Sequence, residues 1–138
     1  NDLDLESART AKIVIENYSD HDMELSEGTV TCSGEFVTAP PAEILNKETK
    51  DFEVGSKNSK GPRGWVFYKM AVDGKVETIR IFWDHPVGSG PSRYELSFKP
   101  YKCDFKQDPE NPTGHHQTIN FKITRVSKDQ SNINPYEC

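Results

Sequence analysis

No run of apolar residues in this chain approaches the roughly 18 to 20 needed to carry a helix across a bilayer, so a spanning helix is excluded. Positive charge is also in short supply. With a formal net charge of -5, the chain lacks the cationic surface that releases phosphate counterions, which argues against unspecific nucleic-acid binding. The acids crowd the amino end, where only Arg9 and Lys12 are basic between Asn1 and Glu27; a stretch of this kind reads as a solvated face or tail. The initiator Met is absent and Asn1 stands first, as expected of a processed product that has lost any targeting segment.

Cysteine is scarce. Cys32, Cys103 and Cys138 allow one disulfide in three possible pairings, with one thiol left over. Pairing of Cys103 with Cys138 is preferred, because it would tie an aperiodic tail to the body of the protein. Asn17-Tyr18-Ser19 is a usable glycosylation sequon, whereas Pro112 blocks the one at Asn111. A disulfide and a sequon together lean towards an extracellular setting.

Signatures of catalysis are missing as well. There is no Gly-x-Ser-x-Gly elbow and no cysteine-protease signature to supply a nucleophile beside Asp84-His85. The Gly55 to Gly64 loop holds Lys60 and Gly61 but lacks the Gly-Lys-Ser/Thr ending that puts lysine and hydroxyl on a phosphate. His21, His85, His115 and His116 show no metal-ligand spacing. No catalytic residue, metal or cofactor is expected.

What is present is period-two alternation, the mark of strands with one face on a core and one in water. Tyr94, Leu96 and Phe98 alternate with polar neighbours, as do Ile119, Phe121 and Ile123, Met23 and Leu25, and Phe52 and Val54. Ile13-Val14-Ile15 reads as a more fully buried strand. Gly64 to Val72 and Lys75 to Trp83 flank Asp73-Gly74, a pair suited to a type I′ hairpin turn because both of its positions need positive φ. Pro41 to Thr49 has room for one short helical turn. Eight or nine short strands separated by turn-rich loops predict an all-β, antiparallel β-sandwich over 1–138, with an acidic extension at 1–7 and an aperiodic tail at 127–138.

Aromatic residues sit at the edges of two loops. Trp65 follows the Gly55 to Gly64 segment, in which Lys57, Lys60 and Arg63 are basic, and Phe82-Trp83 precedes the His85 to Pro91 segment. Aromatic rings with a polar tip suit a membrane headgroup layer, and each nearby cation adds about 1 kcal/mol of attraction if the surface is anionic.

The block from Val76 to Ser89, with Trp83-Asp84-His85-Pro86-Val87 at its heart, resembles the aegerolysins, a family of small membrane-binding proteins that includes an insecticidal crystal-protein branch. The family pattern there is an aromatic, Asp, any residue, Pro, a bulky aromatic and a glycine-containing turn; Val87 stands at the bulky aromatic position. Ala8 to Asp22 is similar to the family's first hairpin, and Gln117 to Val126 to its Thr-rich last strand. The resemblance implies an actinoporin-like sandwich and a non-enzymatic lipid-binding protein, secreted and peripheral at target membranes. Such a protein acts as a cytolysin, or as the membrane-recognition component beside a larger pore-forming partner. It further implies membrane lipids as ligands, including sphingolipid or sterol-containing membranes. Docking is then expected at Trp83, Asp84, His85, Pro86 and Val87, with Lys57, Lys60, Arg63 and Trp65. The alternative is a soluble β-sandwich recognition module, a lectin or secreted effector, without membrane activity.

Overall fold

The computed structural model describes residues 8–57, 60–88, 90–99, 102–127 and 138. The acidic extension at 1–7 and residues 128–137 of the tail lie outside the described residues. The chain forms β1 (Arg9–Asn17), β2 (Met23–Leu25), β3 (Val30–Ser33), β4 (Glu35–Thr38), β5 (Glu43–Ile44) and β6 (Thr49–Ser56). It continues with β7 (Arg63–Val72), β8 (Lys75–Asp84), β9 (Arg93–Lys99), β10 (Lys102–Asp108) and β11 (His116–Ser127). No helix occurs among the described residues. The segment expected to hold a helical turn instead holds β5 and a turn before β6, because Ile44 is drawn into the core opposite Met23.

Two sheets pack face to face. The first has the order β10-β11-β1-β6-β4, and the second β5-β2-β7-β8-β9, with β3 following β2 along the same edge of β7. Alternation decides which side chains meet between them. In the first sheet Ile13 lies between Phe52 and Ile119 and Ile15 lies beside Phe121; all five are fully buried. The second sheet answers with Val66, Tyr68, Ile79, Ile81 and Leu96. Val14, expected to be buried with its neighbours, is only half-buried because the pleat turns it to the other face.

The sandwich departs from the expected all-antiparallel pattern at one place. β1 and β11 run parallel, with Thr10 opposite His116 and Asn17 opposite Ile123. Nor does β1 form a hairpin with the segment after it. The chain leaves the first sheet at Asn17 and enters the second at Met23, so β1 pairs only with β6 and β11.

Asn17 shapes that corner. Its amide nitrogen donates to the carbonyls of His21 and Ile44 at 2.8 and 2.9 Å, and its Oδ1 accepts from the Ser19 backbone and hydroxyl at 3.1 and 2.6 Å. The residue is wholly buried. An expected glycosylation site is thus a structural Asx turn with no room for a sugar, since both halves of the sequon are spent on the fold.

The central hairpin is formed as expected, with β7 and β8 paired from Arg63↔Asp84 to Val72↔Lys75. Asp73 and Gly74 have φ of 52° and 78°, the two positive values of a type I′ turn. Cysteine pairing differs from expectation: Cys32 on β3 bonds Cys138, and Cys103 is a buried thiol outside the disulfide. Cys103 faces the core from β10 at 2% exposure, whereas Cys32 is half-buried on β3.

Candidate functional site

The two segments singled out in the sequence meet at one end of the β7–β8 hairpin. Pairing of Arg63 with Asp84 places the chain before β7 alongside the chain after β8. Gly61 makes the approach possible, because a Cβ there would lie 1.7 Å from the His85 carbonyl oxygen. The His85 N–H donates to the Pro62 carbonyl at 3.0 Å. Ser56 donates to the carbonyl of Lys60 and Ser33 to that of Gly61, anchoring the loop from the other side.

These contacts frame a cleft of about 320 Å³. Lys60, Arg63 and Asp84 give it charge, Pro86 and Val87 form an apolar lip, and the Cys32–Cys138 disulfide closes one side. Arg63 Nη1 donates to Asp84 Oδ2 at 2.7 Å, with the two side chains 26% and 20% exposed. A pair this open to water adds of order 0 to 1 kcal/mol to stability. Its greater effect is to hold a guanidinium and a carboxylate in fixed positions.

On the outer face of the second sheet, Trp65 stacks on Phe82 with centroids 6.5 Å apart and planes 30° apart. The Arg63 and Arg93 guanidinium carbons lie 5.1 and 5.6 Å from the Phe82 centroid, within the range of cation–π attraction. Arg93 was not singled out in the sequence. It enters because register sets it opposite Asp84 across β8 and β9, a relation that only strand pairing reveals.

Two expected docking residues are not at the surface. Trp83 is fully buried, its ring 5.7 Å from Phe52 and 5.8 Å from Phe36 in edge-to-face geometry. It belongs to the core because it shares the inward phase of Ile79 and Ile81. His85 is 2% exposed. Its Nε2 donates to the His115 carbonyl at 2.9 Å, which leaves Nδ1 to accept from the Ser92 hydroxyl at 2.9 Å. Burial lowers its pKa below the usual histidine value; the bond to the His115 carbonyl opposes this, and the charges of Arg9, His115 and His116 add to the lowering.

Lys57 is displaced as well. It is exposed, but lines a separate groove of about 570 Å³ with Arg9, Thr10, Glu35, Val37 and His116. Of the expected set, Lys60, Arg63, Asp84, Pro86 and Val87 gather in one cleft, and Trp65 lies half-buried on the adjoining face.

The two-sheet arrangement recurs in solved structures. The chain shares the fold of the lipid binding protein Nakanori. That likeness has a TM-score of 0.67 at 12% identity and covers 85% of this chain and 71% of Nakanori. IP-1A from Alcaligenes faecalis is similar over 89% of this chain and 95% of its own length, with a TM-score of 0.60 at 19% identity. RahU protein, solved with a TRIS molecule, is similar over 90% and 98%, with a TM-score of 0.58 at 15% identity. No protein-family model and no curated protein sequence matches the chain. At these identities the likeness establishes the sandwich fold and leaves function to be argued from the site.

Proposed function

We propose that this chain is a non-enzymatic, aegerolysin-like lipid-binding protein that docks on membranes through the cleft joining Lys60–Arg63 to Asp84–Val87. The observation that carries the reading is this cleft, in which two cationic side chains stand beside the apolar lip of Pro86 and Val87. Phosphate of a headgroup sits against the cations, Asp84 faces any amine the headgroup carries, and the lip rests at the acyl boundary. The fold shared with a lipid binding protein supports the same reading. Trp65, half-buried beside Arg63, contributes at the interface. Trp83 and His85 act from beneath, as supports of the turn.

The protein is secreted and peripheral, a setting supported by the Cys32–Cys138 disulfide, which suits an oxidising compartment. Its role is that of a cytolysin, or of the recognition half of a two-component toxin whose larger partner forms the pore. Sedimentation with liposomes of varied sphingolipid, sterol and anionic content tests the reading. Binding to at least one composition is expected, weakened at least about tenfold by Lys60→Glu combined with Val87→Asp. Absence of binding to every composition overturns it, as does binding that the double variant leaves unchanged. Dye release with and without a pore-forming partner distinguishes the two toxin roles.

A further inference from the structure

β10 is an edge strand. It pairs with β11 on one side, and among the described residues no strand pairs with it on the other. Such an edge offers backbone donors and acceptors to any strand that can add to it. Phe105, 41% exposed, sits midway along β10, its ring 6.0 Å from that of Phe121 in edge-to-face geometry. Asp104, Lys106 and Asp108 take the other phase of the strand and are all exposed. Asp104 accepts from Arg125 at 3.0 Å in a surface pair open to water.

The order of charges along Lys102–Asp108 is self-complementary. Antiparallel pairing with a second copy, Phe105 opposite Phe105, sets Asp104 opposite Lys106 twice and, by position, Lys102 opposite Asp108 twice. Cys103 and Gln107 form the neutral pairs between them. Directly opposed unlike charges stabilise a strand pair, and like charges destabilise it. A slip of two residues keeps the same faces but opposes like charges. In one direction Asp104 meets its own counterpart and Lys102 meets Lys106; in the other, Lys106 meets its own counterpart and Asp104 meets Asp108. The other edges lack this pattern. β9 centred on Leu96 would set Arg93 against Lys99, and β3, β4 and β5 are only two to four residues long.

We propose that β10 is a self-association edge, through which two copies of this chain join their first sheets across a two-fold axis at Phe105. The exposed ring of Phe105 lies against its counterpart. Charges that ordinarily protect an edge strand here select one partner and one register. No residue of β10 lines the cleft of Lys60 and Arg63, so the proposal stands apart from the lipid reading. A single strand pair buries less than the roughly 1,200 to 2,000 Å² of a standard interface, which makes the dimer weak and concentration-dependent.

Sedimentation equilibrium of the full chain from about 10 μM to about 1 mM tests the proposal, with amide hydrogen exchange as a second readout. A monomer–dimer equilibrium is expected, with exchange at residues 103–107 slowing as concentration rises. Lys106→Asp and Asp104→Lys each give both positions one sign, and each alone is expected to dimerise at least about tenfold more weakly than the parent. Mixed in equal amounts, the two are expected to associate about as tightly as the parent, because one chain is acidic at both positions where the other is basic. Melting midpoints show that each variant is folded, and where either is not, the exchange pattern of the parent decides. A parent that stays monomeric throughout overturns the proposal, as does concentration-dependent protection confined to other strands. So do single variants that dimerise like the parent, or a mixture of folded variants that stays monomeric.

Discussion

Gly61 and His85 are pressed together so closely that a Cβ on the glycine would stand 1.7 Å from the His85 carbonyl oxygen. The obstacle is backbone, which cannot swing aside as a side chain can. Gly61→Ala must therefore push the Lys60–Arg63 segment away from Asp84–Val87. The expected loss is roughly 2 to 3 kcal/mol of stability, read from the urea midpoint. Liposome binding by the folded variant is expected to fall with it, since the cleft is made by that contact. An alanine variant with an unchanged midpoint would show that the two segments do not meet.

Trp83 braces the cleft from within the core. Trp83→Ala removes the edge-to-face contacts with Phe36 and Phe52 and opens a core cavity. A cost of about 3 to 5 kcal/mol follows, measurable by denaturant unfolding. In Trp65→Phe, which leaves Trp83 as the remaining indole, fluorescence is expected to be blue-shifted and unmoved by liposomes. A liposome-dependent shift in that variant would place Trp83 at the membrane.

The position of Trp83 was legible in its phase, since Ile79, Ile81 and Trp83 alternate with Arg80 and Phe82 and β8 turns the first set inward. Nearness to a loop in sequence obscured what the period already stated. The central hairpin was legible because Asp73-Gly74 states its turn chemistry locally, β6, β9 and β11 because apolar residues recur every second position, and β1 because of its Ile13-Val14-Ile15 run, although that run overstated the burial of Val14. β3, β4 and β5 are two to four residues long, too short for a period to register. β10 alternates only Cys103 and Phe105 among charged and polar neighbours. Parallel pairing of β1 with β11 and the Cys32–Cys138 bond join residues about a hundred positions apart, and no local pattern encodes such partners. The same holds for the cleft: its residue types were visible, but only register brings Arg63 to Asp84 and Arg93 to the far side of Asp84.

Acid should loosen the end of the sandwich. His85 is held neutral, its pKa lowered by burial and by Arg9, His115 and His116. The unfolded chain begins to take up this proton near pH 6.5, while the folded chain resists until a lower pH. Folded protein therefore binds fewer protons than unfolded protein in that window, and stability falls as pH drops below about 6.5, with no contribution from this group above it. Thermal midpoints between pH 7.5 and 5 are expected to decline more steeply in the parent than in His85→Gln. Parallel pH profiles would remove His85 from the account.

The disulfide closes a loop of 106 residues in sequence separation, so it restricts the unfolded chain far more than a short bridge would. Loop-closure entropy puts its effect at about 3 to 5 kcal/mol. Reduction is expected to lower the denaturant midpoint accordingly, and Cys32→Ser with Cys138→Ser to reproduce the loss without reductant. Cys103→Ser should leave the bridge intact and cost stability for a different reason, because it puts a hydroxyl where a buried thiol sat. Non-reducing peptide mapping provides the direct check, with Cys32 and Cys138 in one linked fragment and Cys103 alkylated only after unfolding. A fragment linking Cys103 to Cys138 would overturn the assignment. It would also detach Cys138 from the cleft of Lys60 and Arg63, so the same map tests whether the bridge forms one side of the proposed lipid site.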